Sequence, residues 1–184
     1  MALPEFSRHT VTAADGTQLA VQTYGKGDMT IVIANGLGGT LIAWTPFLRA
    51  FGKRARFVSW DYRGLYDSAQ PRDPAALTVA HHVSDLEAVC DAMKVDRFVL
   101  AGWSMGVQVA VQAAADLGDR VRGLILINGT FGRVFETAFV APGSRHVLPI
   151  VNLLAIKAGP ALPPLISRLT RSKLFVPAIE RLGI

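Results

Sequence analysis

The sequence predicts an α/β protein, a mostly parallel sheet with helices on both faces. Short runs that are apolar throughout, such as "TIVIAN" (30–35), "RFVLAG" (97–102) and "VRGLILIN" (121–128), read as strands buried on both sides. Segments with helical spacing alternate with them, the sign of a parallel sheet covered front and back. The chain has 184 residues, 51% of them hydrophobic and 18% charged, which suits one ordinary domain with a large core.

The elements follow in order. "HTVTAADGTQLAVQTYG" (9–25) alternates and turns at Asp15-Gly16, a hairpin signal. "TIVIAN" is the first buried strand. "IAWTPFLRAF" (42–51) reads as a short helix, and "RFVSWD" (56–61) as a second buried strand. "TVAHHVSDLEAVCDAMKV" (78–95) is amphipathic, with Val79, Val83, Leu86, Val89, Cys90 and Met93 along one face. "RFVLAG" leads into a helix reaching about Leu117, and "VRGLILIN" closes the series. Beyond Gly132 lie Pro142, Pro149, Pro160, Pro163, Pro164 and Pro177 with short apolar pieces between them, so the organisation expected is 1–132 and 133–184.

Composition removes several classes. Cys90 is the single cysteine, so no internal disulfide framework forms, and no Cys/His spacing suits a metal. No cofactor is expected. The N-terminus lacks the apolar region of a signal peptide, and the longest apolar stretch, 147–156, falls short of the roughly 18 residues of a membrane span; a cytoplasmic protein is expected. The net charge of +5 lies wholly in residues 131–184, which hold seven Lys/Arg against two Asp/Glu. That tail lacks the aromatic interleaving of a nucleic-acid binder, so no nucleic-acid partner is expected, nor a membrane.

The chemistry-bearing motif is Gly102-Trp103-Ser104-Met105-Gly106, a G-x-S-x-G with a strand before it and a helix after it. A sharp strand-to-helix turn strains the serine backbone and needs bare glycines on either flank. It exposes the Ser104 hydroxyl at the carboxyl end of the sheet, beside the free N–H groups of a helix start. A second loop, Asn35-Gly36-Leu37-Gly38-Gly39, follows an earlier strand. Acyl transfer needs two backbone donors aimed at a developing oxyanion. Met105 supplies one, and Leu37 is the candidate for the other.

These residues resemble the α/β-hydrolase superfamily, of the capped, esterase/lipase-like type. "NGLGG" is similar to the family's His-Gly-x-Gly loop, with Asn35 in place of histidine. "DYRGLYDS" (61–68) resembles its D-x-R-G-x-G-x-S segment, with Tyr66 where a glycine is usual. The resemblance runs from about residue 10 to 130. It implies a hydrolase core over 1–132, part of a helical cap over 133–184, and a serine nucleophile acting on a small-molecule acyl substrate. A serine rather than an aspartate at 104 argues against the epoxide-hydrolase and haloalkane-dehalogenase branches.

The family's order is Ser, then acid, then His. After Ser104 the acids are Asp116, Asp119, Glu136 and Glu180, and the histidine is His146. Asp116 and Asp119 fall at the wrong end of the sheet. Glu136 and His146 lie in the Pro-rich segment without a supporting strand. His9, His81 and His82 precede the serine and read as solvated residues. Asn128, at the end of the last strand, has no charge to offer. The acid and base are therefore expected to be missing, the chain to stop inside its cap, and the last strand to be a bare sheet edge. The readings left open are an impaired serine hydrolase and a non-catalytic binding module. Arg168, Arg171, Lys173 and Arg181 punctuate cap helices that would roof the site or merely face solvent.

Overall fold

The computed structural model describes residues 4–129 and 131–132. The chain divides into two units, Met1–Gly132 and Arg133–Ile184; the cap expected over 133–184 lies outside the described residues.

The first unit is a six-stranded sheet: β1 (Ser7–Thr12), β2 (Gln18–Tyr24), β3 (Met29–Ala34), β4 (Ala55–Trp60), β5 (Phe98–Trp103) and β6 (Val121–Ile127), in the order β1-β2-β4-β3-β5-β6. The hairpin β1–β2 is antiparallel and joins β4 antiparallel. Its turn is closed by Asp15, whose carboxylate accepts the Thr17 N–H at 3.0 Å. From β4 to β6 every pairing is parallel, as expected for strands apolar on both faces.

Three helices connect the parallel strands: α1 (Thr45–Phe51), α2 (Val79–Ala92) and α3 (Met105–Leu117). The stretch read as one helix over 42–51 is a 3-10 turn, Leu41–Trp44, followed by α1, which Pro46 opens in its first turn. Thr78 caps α2 by accepting the His81 N–H. One face of the sheet packs Val32, Val58, Trp60 and Leu100 against Val83, Leu86 and Val89 of α2 and Val109 and Ala110 of α3. The other packs Ile31, Ile33, Phe57 and Ala101 against Leu41, Trp44 and Leu48. Helices thus cover both faces, each side supplied by alternate residues of the same strands.

The topology selects where a site can form. From β3 the chain passes by α1 to β4 on one side; from β5 it passes by α3 to β6 on the other. The two helices lie on opposite faces, so the carboxyl ends of β3 and β5 form the topological switch point of the sheet.

One expectation for α2 needs correction. His82, read as solvated, is buried; so is Asp85. Helical phase puts both on the stripe of Val79, Val83, Leu86 and Val89. The Asp85 carboxylate is met by a partner distant in sequence, whereas the His82 Nδ1 is buried without a hydrogen bond to any described residue. Arg63, itself buried, makes a two-pronged ion pair with the Asp85 carboxylate, and its Nη1 also reaches Asp15 at 2.7 Å and the Ala76 carbonyl at 3.1 Å. The His82 ring lies against Tyr62 with centroids 4.3 Å apart. His81 and His9 do reach solvent, beside Thr78 and Thr23 respectively.

Candidate functional site

Ala34, the last residue of β3, stands opposite Gly102 in the parallel ladder. The segments that follow these residues, Asn35–Gly39 and Trp103–Met105, therefore leave the sheet side by side.

Ser104 sits between β5 and α3 with φ 53° and ψ −118°, a region that side chains avoid. Its N–H donates to the Ile127 carbonyl of β6 at 3.0 Å, and its carbonyl accepts from the Val107 N–H at 3.0 Å. The side chain is exposed and forms no capping bond to its own helix. The flanking glycines are required by close approach. A Cβ on Gly102 would lie 2.5 Å from the Gly106 carbonyl oxygen, and one on Gly106 would lie 1.9 Å from the Ala34 carbonyl oxygen. Met105 begins α3, so its N–H has no intrahelical acceptor.

The facing loop touches this turn directly. A Cβ on Gly36 would stand 3.2 Å from the Ser104 Cβ, and one on Gly39 would stand 3.1 Å from the Trp103 ring. Between them the chain makes a turn in which the Gly39 N–H donates to the Gly36 carbonyl at 2.8 Å. Gly38 has φ 72°, as a type II turn requires at its third residue, and Leu37 is 74% exposed at the tip. The structure thus brings together Asn35, Gly36, Leu37, Gly38, Gly39, Gly102, Trp103, Ser104, Met105 and Gly106.

Asn35 anchors the loop's stem. It is buried, and every polar group of its side chain is engaged: the Trp44 indole N–H donates to Oδ1 at 2.9 Å, and Nδ2 donates to the Ser59 hydroxyl at 2.9 Å. The Ser59 hydroxyl in turn donates a hydrogen bond to the Ile33 carbonyl at 3.2 Å. The Tyr62 hydroxyl donates to the Asn35 main-chain carbonyl at 2.8 Å, and burial raises the Tyr62 pKa far above that of a free phenol. Trp44, Ser59 and Tyr62 escaped the sequence reading. The Asn-for-His exchange in the loop motif was the available signal, since an amide there calls for a donor and an acceptor on the neighbouring elements.

The segment 61–68 acts as a brace. The Ser68 hydroxyl donates to the Asp61 carbonyl at 2.7 Å and accepts the Ala20 N–H at 2.9 Å. The Asp61 carboxyl is buried and its pKa is raised by that burial, against the opposing hydrogen bond from Gln22. Tyr66 adopts the left-handed conformation of the glycine it replaces, with φ 49°, and its hydroxyl donates to the Gly38 carbonyl.

The described histidines lie beside other groups: His9 by Thr23, His81 by Thr78, and His82 against the Tyr62 ring, its Nδ1 3.9 Å from Asp85 and without a hydrogen bond to any described residue. Glu136, His146 and Glu180 lie outside the described residues. Asp116 is held by Gln112 at the far end of α3, before β6 begins. Asn128 follows β6 with φ 45°. Among the described residues no group of three His, Cys, Asp or Glu side chains is placed to hold a metal ion, and no helix is long and apolar enough to cross a membrane. Burial raises the Cys90 thiol to about 12, which leaves it protonated and unreactive.

Sheet order, switch point and strained serine turn together define a hydrolase-type α/β core, and comparison agrees. Residues 30–149 match the family described as alpha/beta hydrolase fold, and the chain belongs to it. It is 30% identical over 125 residues to the "Putative carbamate hydrolase RutD" of Caulobacter vibrioides, covering 66% of this chain and 45% of that protein. It is 27% identical over 143 residues to epoxide hydrolase 2 of Siraitia grosvenorii, covering 76% of this chain and 44% of that one. Among solved structures, a bacterial membrane phospholipase A superposes with a TM-score of 0.62 at 28% identity, over 68% of this chain and 40% of that one. The chain thus spans less than half the length of these relatives.

Proposed function

We propose that this chain carries the nucleophile and oxyanion half of a serine hydrolase acting on a carboxylic ester or related acyl bond. The observation that carries the reading is Ser104: an exposed hydroxyl on a strained turn at φ 53°, packed against a glycine loop at the head of a helix. Ser104 Oγ attacks the substrate carbonyl carbon. The N–H groups of Leu37 and Met105 receive the charge that develops on the carbonyl oxygen. The hydroxyl proton must pass to a base, and the engagement of His9, His81 and His82 elsewhere leaves that role to a group outside the described residues.

The relatives named for carbamate and phospholipid hydrolysis share acyl chemistry with this reading. An epoxide-hydrolase reading is disfavoured by the serine at 104, since that branch attacks through a carboxylate. The test is p-nitrophenyl butyrate hydrolysis together with labelling by a fluorophosphonate. Ser104 is expected to be labelled slowly, turnover to be low, and both to vanish in Ser104→Ala. Vigorous turnover that survives Ser104→Ala would sink the reading. The engaged histidines favour a second reading, a binding module that retains only the pocket floor; reversible ligand binding with no labelling at all would select it.

A further inference from the structure

We propose that Tyr66 is a positioning residue for the glycine loop, its phenol fixing the turn that presents the Leu37 N–H beside Ser104. The proposal rests on the acyl-transfer reading of Ser104.

Tyr66 rises from a segment held at both ends. Arg63 is locked by Asp85 and Asp15, and Ser68 by Asp61 and Ala20. Between them, the Leu65 N–H donates to the Tyr62 carbonyl at 2.9 Å, the Ser68 N–H to the Leu65 carbonyl at 3.0 Å, and the Gly64 N–H to the Ala69 carbonyl at 2.9 Å. On this platform Tyr66 takes φ 49°, which a glycine would adopt freely and a tyrosine does not. Packing does not repay the strain, because the side chain remains 60% exposed. Its hydroxyl donates to the Gly38 carbonyl across 28 residues of sequence.

The position of that acceptor gives the contact its meaning. Asn35, with Trp44, Ser59 and Tyr62, secures the stem of the loop. Gly38 is at the tip, next to exposed Leu37, in a residue whose positive φ sets the direction of the adjoining peptides. A glycine has no barrier of its own against leaving that conformation, so an external hydrogen bond is an effective restraint there. An oxyanion donor must already point at its target when charge develops, so a restraint on the tip acts on reactivity more than on substrate affinity.

The test uses the full chain, Tyr66→Phe and Tyr66→Gly, with three measurements: amide hydrogen exchange at Gly38 and Gly39, the saturation kinetics of fluorophosphonate labelling, and the thermal midpoint. Tyr66→Phe is expected to speed exchange in the turn and to lower the maximal labelling rate about tenfold, with inhibitor affinity within about twofold of wild type and an unchanged midpoint. Tyr66→Gly is expected to show the same two losses with an equal or higher midpoint. Wild-type exchange and labelling in Tyr66→Phe would overturn the proposal, as would a labelling loss that merely follows the midpoint. If wild-type Ser104 is not labelled, the acyl-transfer reading fails; the tie itself is then judged by exchange, upheld by acceleration in both variants and refuted by none.

Discussion

Ser104 and Tyr66 share a feature that sets them apart from most residues of the molecule: each holds a positive φ without being glycine. Such a conformation costs about 1–2 kcal/mol for an ordinary L-residue. Ser104→Gly is therefore expected to raise stability by about 1 kcal/mol in urea unfolding while abolishing fluorophosphonate labelling. Stability and chemistry would move in opposite directions at one position. The strain at Ser104 was legible in the sequence because two glycines bracket the serine between a strand and a helix. The burial of His82 was not. Its helical phase matched the apolar stripe, but its polarity argued for solvent, and neither Tyr62 nor the Arg63–Asp85 pair beside it can be found by local spacing.

The β5–α3 turn leaves no room for error. A methyl group at Gly106 would run into the main chain at Ala34 and Asn35, which a flexible side chain cannot relieve by moving aside. Gly106→Ala is expected to cost about 3 kcal/mol in chemical denaturation, and more in labelling than in stability, because the displaced backbone is that of the glycine loop. The β1–β2 hairpin offers a milder prediction. The Asp15 carboxyl is held down at about 2, first by the Thr17 N–H and then by the Thr17 hydroxyl, with Arg63 contributing. A folded pKa below the usual 3.8 adds stability that is present above pH 4 and fades as pH falls toward 2. Asp15→Asn is expected to flatten the stability–pH curve across that window, by under about 1 kcal/mol because the group is partly exposed. The strands and helices themselves were readable from apolar runs and 3.6-residue periodicity. The 3-10 turn ahead of α1 was not, since four residues are too few to show a period.

Across the whole unit, Arg63 ties three parts of the chain that lie far apart in sequence: the hairpin through Asp15, α2 through Asp85, and the connection before α2 through Ala76. Arg63→Met would leave the buried Asp85 carboxyl without its two-pronged partner. Its expected cost is about 3–5 kcal/mol, measured by thermal or urea unfolding. At the other side of the sheet, β6 is the edge among the described residues, and Leu124, Leu126 and Ile127 on it are exposed. An open strand with apolar side chains is adhesive. The chain is expected to self-associate with rising concentration in light scattering, and Leu126→Lys to suppress this without changing Ser104 labelling.

The anchor of the glycine loop, finally, is an amide where the His-Gly-x-Gly motif it resembles has an imidazole. Asn35 gains and loses no proton at any pH at which a protein stays folded, and the tyrosine that grips its carbonyl keeps its proton well into alkali. The Asn35 anchor beneath Ser104 thus keeps its charge state over the range in which a histidine would change its own. Any acid limb in the pH profile of Ser104 labelling then comes from groups other than this anchor.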